Sequence, residues 1–361
     1  MPGSTLWSNG LIWRRRAPKI KLPTPKPGAA TILALHGGGF LGYFSACIAA
    51  ELQRRRERLR AEGQLGRSFD AICGTSVGAI LAAGLAIETP ASKILNLMEE
   101  QGETIFPKRS LLPTLPGILG SRFDPAPLRE LLTDILGDVR LGDLDRVLVV
   151  PAVNESLGRP VIFRSSDPTQ GDIPLIDVVM ASAAAPLYFP LHRLGGSRYA
   201  DGGLVANGPA LLASSELTRK FGIPADRQRV VSIGTTRATS GSAVDIRSSD
   251  RWGGIRWIWG GGRLQQLLMS GQEDIQSELL AGLGLTGRLH LDMELSQGDA
   301  KKVHMVKADR EARKVLSSAA TACLSSITPS ERHFLDPILA RKARSMVWRK
   351  GPGGHPLSIL A

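Results

Sequence analysis

The sequence predicts an α/β fold with parallel strands, from two apolar segments, the helix between them and the glycine turn that follows each segment. Residues 31–35 and 69–73 are short apolar runs typical of buried strands. Between them, a helix that Ser45 caps is expected to end near Gly63, with the charged run 54–60 on its solvent face. A strand, helix, strand unit of this kind places its strands in parallel, joined by a right-handed crossover.

Length and composition indicate a globular protein. The chain has 361 residues, of which 43% are hydrophobic and 22% charged. That is enough to bury a sizeable core in one large α/β unit or two modest domains. We expect a basic, proline-rich extension over residues 1–29, an α/β core over 30–240 and a mainly helical portion over 241–361 that packs on the core.

Basic residues outnumber acidic ones, 45 to 33, which gives a net charge of +12. The extension contributes to this excess and contains no acidic residue. Such an arm is typical of a solvated tail or of a segment that contacts an anionic membrane surface. A nucleic-acid polymer is not expected as a partner, because no zinc-finger, homeodomain or RNA-recognition signature accompanies the arm. Its basic residues are Arg14, Arg15, Arg16, Lys19, Lys21 and Lys26.

Cysteine usage and hydropathy predict a cytoplasmic protein. Cys47, Cys73 and Cys323 lie in apolar segments and have neither C-x-x-C spacing nor the pattern of a disulfide framework. No apolar run approaches the roughly 18 residues of a membrane span, so membrane contact is expected to be peripheral, at the inner face.

After residue 86 the chain continues to alternate between helical and strand-like segments. The predicted helices cover 128–136 and 177–185, and Pro186 stops the second. The predicted strands cover 146–153, 160–163 and 230–234. Between the last two, Tyr199–Val205 holds a strand end followed by Asp201-Gly202-Gly203.

Beyond residue 240 the amino-acid composition of the chain changes. Residues 251–263 concentrate tryptophan, arginine and glycine, and this segment is predicted to be a regulatory or membrane-contacting site. Apolar residues at helical spacing follow, and the spacing predicts that they face the core. They are Leu264, Leu267, Leu268, Ile275, Leu279 and Leu283.

The segment Gly74-Thr-Ser76-Val-Gly78 is predicted to be a nucleophile elbow. It follows a strand and opens a helix of small residues. The G-x-S-x-G pattern leaves room for a strained turn that exposes the serine hydroxyl, and the helix directs its positive end at the reacting atom. Ser76 is therefore the candidate nucleophile, although a plain strand-to-helix connection that contains a serine would read the same way.

The glycine turn at 37–39 is the candidate oxyanion site. Gly37, Gly38 and Gly39 offer amides without side chains at the start of a helix, which suits an anion. A dinucleotide-binding loop is the competing interpretation. It is weakened because the G-x-G-x-x-G spacing is only loosely met and Cys73, not an acidic residue, ends the next strand.

The base that accepts the serine proton is either an aspartate or a histidine. Asp201 lies in a glycine turn after a strand and would form a catalytic dyad with Ser76, without a histidine. His36-Gly-Gly-Gly resembles the oxyanion motif of α/β-hydrolase esterases with a Ser-Asp-His triad, but that order needs further strands before the turn. The downstream histidines His192, His290, His304 and His333 are in no triad-like context and are predicted to be structural or exposed.

Three motifs together resemble the patatin-like phospholipases. They are G-G-G-F-L-G at 37–42, G-T-S-V-G at 74–78 and D-G-G at 201–203, and the resemblance covers roughly residues 31–235. It implies a three-layer α/β fold with a central, mostly parallel sheet flanked by helices. It also implies a Ser-Asp dyad that cleaves acyl esters of lipids without a metal or other cofactor. By position, Ser76 is the nucleophile, Asp201 the base and Gly37–Gly39 the oxyanion turn, with Gly42, Gly74, Gly78, Gly202 and Gly203 supporting the motifs.

The chain departs from the family pattern at two places. Leu41 stands where many members have Arg or Lys, which leaves the head-group preference open, and the usual Asn-Asn-Pro is Asn207-Gly208-Pro209. The architecture also resembles the patatin-like effectors of cyclic-oligonucleotide antiphage signalling, which implies activation by a cyclic dinucleotide. The expected substrate is membrane phospholipid. A homo-oligomer and a non-catalytic membrane-binding scaffold are left open.

Overall fold

The computed structural model describes residues 29–107, 120–238, 263–285, 287–343, 348–350 and 356–358. Most of the basic extension and residues 251–262 of the tryptophan-containing segment lie outside this part of the chain, so the predictions for them stay as predictions. Within the described part, none of the helices has the length and apolar character that crossing a bilayer requires.

An eight-stranded mixed sheet forms the centre of the molecule, with the order β5-β6-β3-β2-β1-β7-β9 and β4 paired to β3. The strands β3, β2, β1, β7 and β9 are parallel to one another, whereas β4, β5 and β6 extend the sheet by antiparallel pairing. The eight strands are β1 (Ala30–Leu35), β2 (Ala71–Gly74), β3 (Val147–Asn154), β4 (Arg159–Arg164), β5 (His192–Leu194), β6 (Ser197–Asp201), β7 (Gln228–Ile233) and β9 (Arg288–Leu291).

Two small two-stranded pairings stand apart from this sheet. One joins β8 (Arg237–Ala238) to β10 (Glu294–Leu295), and the other joins β11 (Trp348–Lys350) to β12 (Pro356–Ser358). The helices are α1 (Gly42–Arg58), α2 (Val77–Ala86), α3 (Ala91–Ile105), α4 (Ala126–Leu136), α5 (Leu175–Ser182), α6 (Ala210–Phe221), α7 (Arg263–Gly282), α8 (Gln297–Ala300), α9 (Arg310–Ser325) and α10 (Pro329–Ala340).

Successive residues of a strand belong to two separate hydrophobic cores, one on each face of the sheet. In β1, Leu33 and Leu35 belong to the larger core, while Ile32 and Ala34 belong to the smaller one. This alternation follows from the two-residue repeat of a strand. Helices α1 to α5 with α9 and α10 cover the larger core, and α6 with the end of α7 covers the smaller one. The three-layer α/β fold predicted from the resemblance is therefore confirmed.

The portion beyond residue 240 also contributes to the sheet. Strand β9 pairs in parallel with β7, from Val230 opposite Arg288 to Ile233 opposite Leu291. This portion therefore supplies an edge strand as well as helices.

Three local predictions are wrong. The charged run of α1 is not wholly a solvent face, because Arg56 is buried and its guanidinium donates to Ser68 Oγ at 2.9 Å. The first long helix begins at Gly42, not at Ser45, whose hydroxyl instead donates to the Gly234 carbonyl oxygen at 2.6 Å. Of the residues predicted to give this part of the chain a core-facing stripe, those whose side chains are described lie at the surface, outside both cores: Leu267, Leu268, Ile275, Leu279 and Leu283, the last just after the helix. The prediction for the Leu264 side chain lies outside the described part of the chain.

Candidate active site

Ser76 occupies a strained turn between β2 and α2. Its backbone has φ 55° and ψ −124°, which side-chain-bearing residues seldom adopt. Strand β2 and helix α2 approach each other so closely that a Cβ at Gly74 would meet the Gly78 carbonyl oxygen. Helix α2 also lies so close to β1 that a Cβ at Gly78 would meet the Leu35 carbonyl oxygen. Glycine at both positions therefore allows the turn that presents the Ser76 hydroxyl at the start of a helix.

Asp201 lies within hydrogen-bond distance of this serine. Ser76 Oγ donates to Asp201 Oδ2 at 2.7 Å, and the amide of Gly203 donates to Asp201 Oδ1 at 2.6 Å. The side chain is buried, with 5% of the residue's surface exposed. Gly202 and Gly203 form the short helical turn directly after it.

Sheet topology explains why these two residues meet. Strand β4 occupies one edge of β3 along residues 149–154, so β2 and β6 both lie on its other edge. Strand β2 runs parallel to β3 and β6 runs antiparallel, so the carboxyl ends of β2 and β6 point towards each other. Ser76 follows the first end, and Asp201 forms the second.

The end of α5 and the residues after it fix the spacing of the pair. Ser182 Oγ accepts the amide proton of Ser76 at 3.1 Å, and the Ala184 carbonyl oxygen accepts that of Asp201 at 2.9 Å. A third contact joins the two turns, from Thr75 Oγ1 to the Ala206 carbonyl oxygen at 2.6 Å. The short segment from Ser182 to Ala184 thus fixes the backbone of Ser76 relative to that of Asp201.

Burial raises the pKa of the Asp201 carboxyl to about 6, and the hydrogen bonds from Ser76 and Gly203 offset this only in part. A carboxylate with a pKa in this range is a stronger base than an exposed aspartate and is still ionised at neutral pH. Both properties suit a group that takes a proton from a hydroxyl.

The glycine turn lies beside the serine. A Cβ on Gly37 would be 3.4 Å from Ser76 Cβ. The amide of Gly37 donates to the Asn207 carbonyl oxygen at 3.1 Å, and that of Phe40 donates to the Met305 carbonyl oxygen at 2.7 Å. Among the described residues, no hydrogen-bond acceptor meets the amides of Gly38 or Gly39. Gly39 has φ +56°, and a Cβ there would overlap the Met305 carbonyl oxygen.

An apolar pocket opens next to Ser76. Aromatic side chains line part of it, with Phe40 and Phe189 each packed edge-on against Phe106. The other apolar side chains in the wall come from α2, α3, α4 and the segment before α9. They are Val77, Ile80, Met98, Ile105, Leu128, Leu131, Met305 and Val306. The apolar lining of such a pocket suits a hydrocarbon chain.

The histidines do not complete a triad with Ser76. Within the described ranges, none of them is hydrogen-bonded to Ser76 or Asp201. His192 lies 3.2 Å from Asp177, and His290 lies 3.6 Å from Asp292. His36 accepts or donates a hydrogen bond with Ser232 Oγ at 2.8 Å. In the same part of the chain, no cluster of three His, Cys, Asp or Glu side chains is arranged to hold a metal ion.

Other residues near the site include two of the glycine motif and three that the sequence pattern did not single out. Gly42 opens α1, and Leu41 is half-buried in the short turn before it. Ser182 was missed as a contact of the elbow, although the segment that contains it belongs to the family pattern. Gln272 and Glu273 of α7 both hydrogen-bond to Asn207. The sequence did not predict these contacts, because polar residues on a helix usually indicate a solvated face.

Comparison with known proteins agrees with this geometry. A family model described as patatin-like phospholipase matches residues 33–214. A cGAMP-activated phospholipase of Pseudomonas aeruginosa is 40% identical over 255 residues, which span 69% of this chain and 74% of that protein. A protein of the same name from Escherichia coli is 34% identical over 264 residues, with the same coverage.

Plant proteins show the same relationship at lower identity. Patatin-like protein 1 of Arabidopsis thaliana is 30% identical over 285 residues, which span 68% of this chain and 69% of that protein. The family match, together with the 40% identity over most of a bacterial relative, shows that this chain is a carboxylic ester hydrolase of the patatin-like phospholipase family.

Proposed function

We propose that the chain is a serine lipid acyl hydrolase of the phospholipase A type, which cleaves acyl esters of membrane phospholipids with a Ser76–Asp201 dyad. The observation that carries the proposal is the 2.7 Å hydrogen bond from Ser76 Oγ to Asp201 Oδ2 beside an apolar pocket. The dyad is favoured over a histidine triad because the aspartate occupies the position at which a base would receive the serine proton.

The reaction has two steps. Ser76 Oγ attacks the ester carbonyl carbon while Asp201 Oδ2 takes the hydroxyl proton. The ester C–O bond then breaks, and Asp201 returns the proton to the departing lysophospholipid oxygen, which leaves the acyl group on Ser76. In the second step Asp201 takes a proton from water, the resulting hydroxide attacks the acyl carbon, and fatty acid leaves as Ser76 regains its proton.

The amides of Gly38 and Gly39 are proposed to hold the oxyanion that forms in each step. Both lie in the turn beside Ser76, and no acceptor in the described part of the chain competes for them. The amide of Gly37 is engaged with Asn207 in this conformation, so its part in the predicted oxyanion site is to shape the turn. Removing one such donor typically lowers the rate by about 10² to 10³.

Exposed apolar residues beside the pocket support peripheral contact with a membrane. Leu187 is 50% exposed and Leu191 is 38% exposed. They flank Tyr188 and Phe189, which line the pocket. Side chains of this kind can enter the interface and bring the pocket to the lipid surface.

Activation by a cyclic dinucleotide is proposed from the relatives. The bacterial proteins at 40% and 34% identity are both named cGAMP-activated phospholipases. We infer that this chain responds to a nucleotide of the same class and degrades the inner membrane during bacterial antiphage defence. The deletion of residues 251–263 tests the predicted regulatory or membrane-contacting role of that segment: unchanged nucleotide and liposome binding would refute it.

The experiment is the release of fatty acid from mixed phosphatidylethanolamine and phosphatidylglycerol vesicles by wild type and Ser76→Ala, with and without a panel of cyclic dinucleotides. We expect release by wild type, stimulated by one member of the panel, and none by Ser76→Ala. Absence of release by wild type in every condition would favour a membrane-binding scaffold. Release by wild type without stimulation would contradict only the activation.

A further inference from the structure

Helix α7 reaches the segment that follows Asp201 through Gln272. Its Oε1 accepts the Asn207 amide proton at 3.1 Å, and its Nε2 donates to the Leu204 carbonyl oxygen at 2.9 Å. The amide side chain therefore binds the backbone at two points, three residues apart, just after the Asp201 turn.

The next residue of the helix, Glu273, binds side chains in the same place. Its Oε1 accepts a hydrogen bond from Asn207 Nδ2 at 2.6 Å and lies 3.2 Å from His36 Nδ1. The side chains of Glu273 and His36 are only 10% and 8% exposed. A carboxylate this deeply buried is costly unless it is paired, so these contacts fix its position.

Asn207 is the residue that joins the two turns of the candidate site. Its carbonyl oxygen accepts the Gly37 amide proton at 3.1 Å, and its Nδ2 also donates to the Gly37 carbonyl oxygen at 3.4 Å. The neighbouring Ala206 carbonyl oxygen accepts the Thr75 hydroxyl proton. A shift of Asn207 would therefore move the glycine turn relative to Ser76.

The departure from the usual Asn-Asn-Pro sequence belongs to the same arrangement. A Cβ at Gly208 would come within 2.9 Å of the His36 ring. A larger residue there would displace the ring from Glu273. Glycine at 208 and histidine at 36 are thus matched to the carboxylate of α7.

We propose that Glu273 is a positioning residue that holds the glycine turn in the geometry needed for the reaction, acting through Asn207 and His36. The inference rests on the proposed function of Ser76 and Asp201. Glu273 does not contact either of them. Its loss is expected to lower the rate of the chemical step without weakening substrate binding, because a small misplacement of oxyanion donors is enough to slow catalysis.

The test compares Glu273→Ala, Glu273→Gln and Glu273→Asp, with Glu278→Ala as the control at an exposed position of the same helix. The readouts are kcat and KM for a soluble short-chain ester and the second-order rate of Ser76 labelling by a fluorophosphonate. We expect Glu273→Ala to lower kcat and the labelling rate about tenfold or more, with KM within about twofold of wild type. Glu273→Gln should recover most of the rate, because its amide oxygen still accepts from Asn207, and Glu278→Ala should match wild type.

Wild-type kcat in Glu273→Ala, or a loss confined to KM, would overturn the positioning role. If Glu273→Ala does not fold, Glu273→Asp decides: withdrawing the carboxylate by one methylene should also lower kcat, and an unchanged kcat would overturn the proposal. Absence of ester turnover by wild type, both with and without the panel of cyclic dinucleotides, would overturn the proposed function itself, so the two failures are distinguishable.

Discussion

The hydroxyl of Ser76 and the carboxylate of Asp201 are 2.7 Å apart, although 125 positions separate them in the chain. They meet because β2 and β6 share one edge of β3 and run towards each other along it. The contact is thus a product of sheet topology, and the short elements around it serve to hold its geometry.

Activity is expected to depend on pH through Asp201. The base must be ionised, and burial raises its pKa to about 6. We predict that kcat/KM on a soluble ester rises as pH increases through about 6 and then levels off, with about tenfold less activity at pH 5 than on the plateau. A profile between pH 4.5 and 8.5 checks this. A profile that is flat down to pH 5 would contradict the assignment of Asp201 as the base.

The free energy of unfolding should also depend on the ionisation of Asp201, but it should fall, not rise, as pH increases. The folded pKa of about 6 lies above the value of about 3.9 in an unfolded chain, so the folded state binds more protons between these values. The free energy of unfolding contributed by this group therefore falls as pH rises from about 4 to about 6.

The Asp201→Asn variant isolates that contribution, since its side chain does not titrate. We predict that the stability of Asp201→Asn relative to wild type increases by roughly 2 kcal/mol between pH 4 and pH 7. Urea unfolding of both proteins across this range measures the difference. A difference that stays constant with pH would show that burial does not raise the pKa of Asp201.

The backbone of Ser76 stores strain that substitution can release. Its φ of 55° is unfavourable for any residue with a Cβ. Ser76→Ala and Ser76→Gly both remove the nucleophile, but only glycine relieves the strain. We predict that Ser76→Gly is about 1 kcal/mol more stable than Ser76→Ala and that both lack activity. Equal stability of the two variants in chemical denaturation would contradict the strained turn.

Chain-length preference should respond to the pocket wall. Ile80 lies one turn after Ser76 on α2 and lines the pocket. Ile80→Phe is expected to shorten the pocket and lower kcat/KM for a sixteen-carbon ester about tenfold relative to a four-carbon ester, at a stability cost of about 1–3 kcal/mol. Ile80→Val is the matched control. An unchanged ratio in Ile80→Phe would place the acyl chain elsewhere.

The fold could be predicted where local pattern and tertiary role agree. The apolar runs at 31–35 and 69–73 became parallel strands β1 and β2, because a buried strand in a parallel sheet needs apolar residues on both faces. The elbow and the glycine turn were recognisable because close backbone approach restricts the residues that fit. The catalytic roles of Ser76 and Asp201 stay predictions until they are measured.

The rest could not be predicted because it depends on contacts between distant segments. Ser45 has the chemistry of a helix cap, yet its hydroxyl donates to the carbonyl oxygen of Gly234, just after β7. Leu268, Ile275 and Leu279 of α7 have the spacing of a buried face, yet they are exposed. The helix reaches the smaller core through Leu280 instead. Glu273 carries no motif, and only the docking of α7 brings it to Asn207 and His36.

The most direct test of the central claim is the rate of fatty-acid release from the same phospholipid vesicles by wild type, Asp201→Asn and His36→Gln. The dyad predicts that Asp201→Asn loses activity by a factor on the order of 10³ or more. It also predicts that His36→Gln, which removes a histidine near the site but no member of the dyad, retains a measurable part of the wild-type rate. Full activity in Asp201→Asn, together with abolition by a histidine substitution, would contradict the dyad.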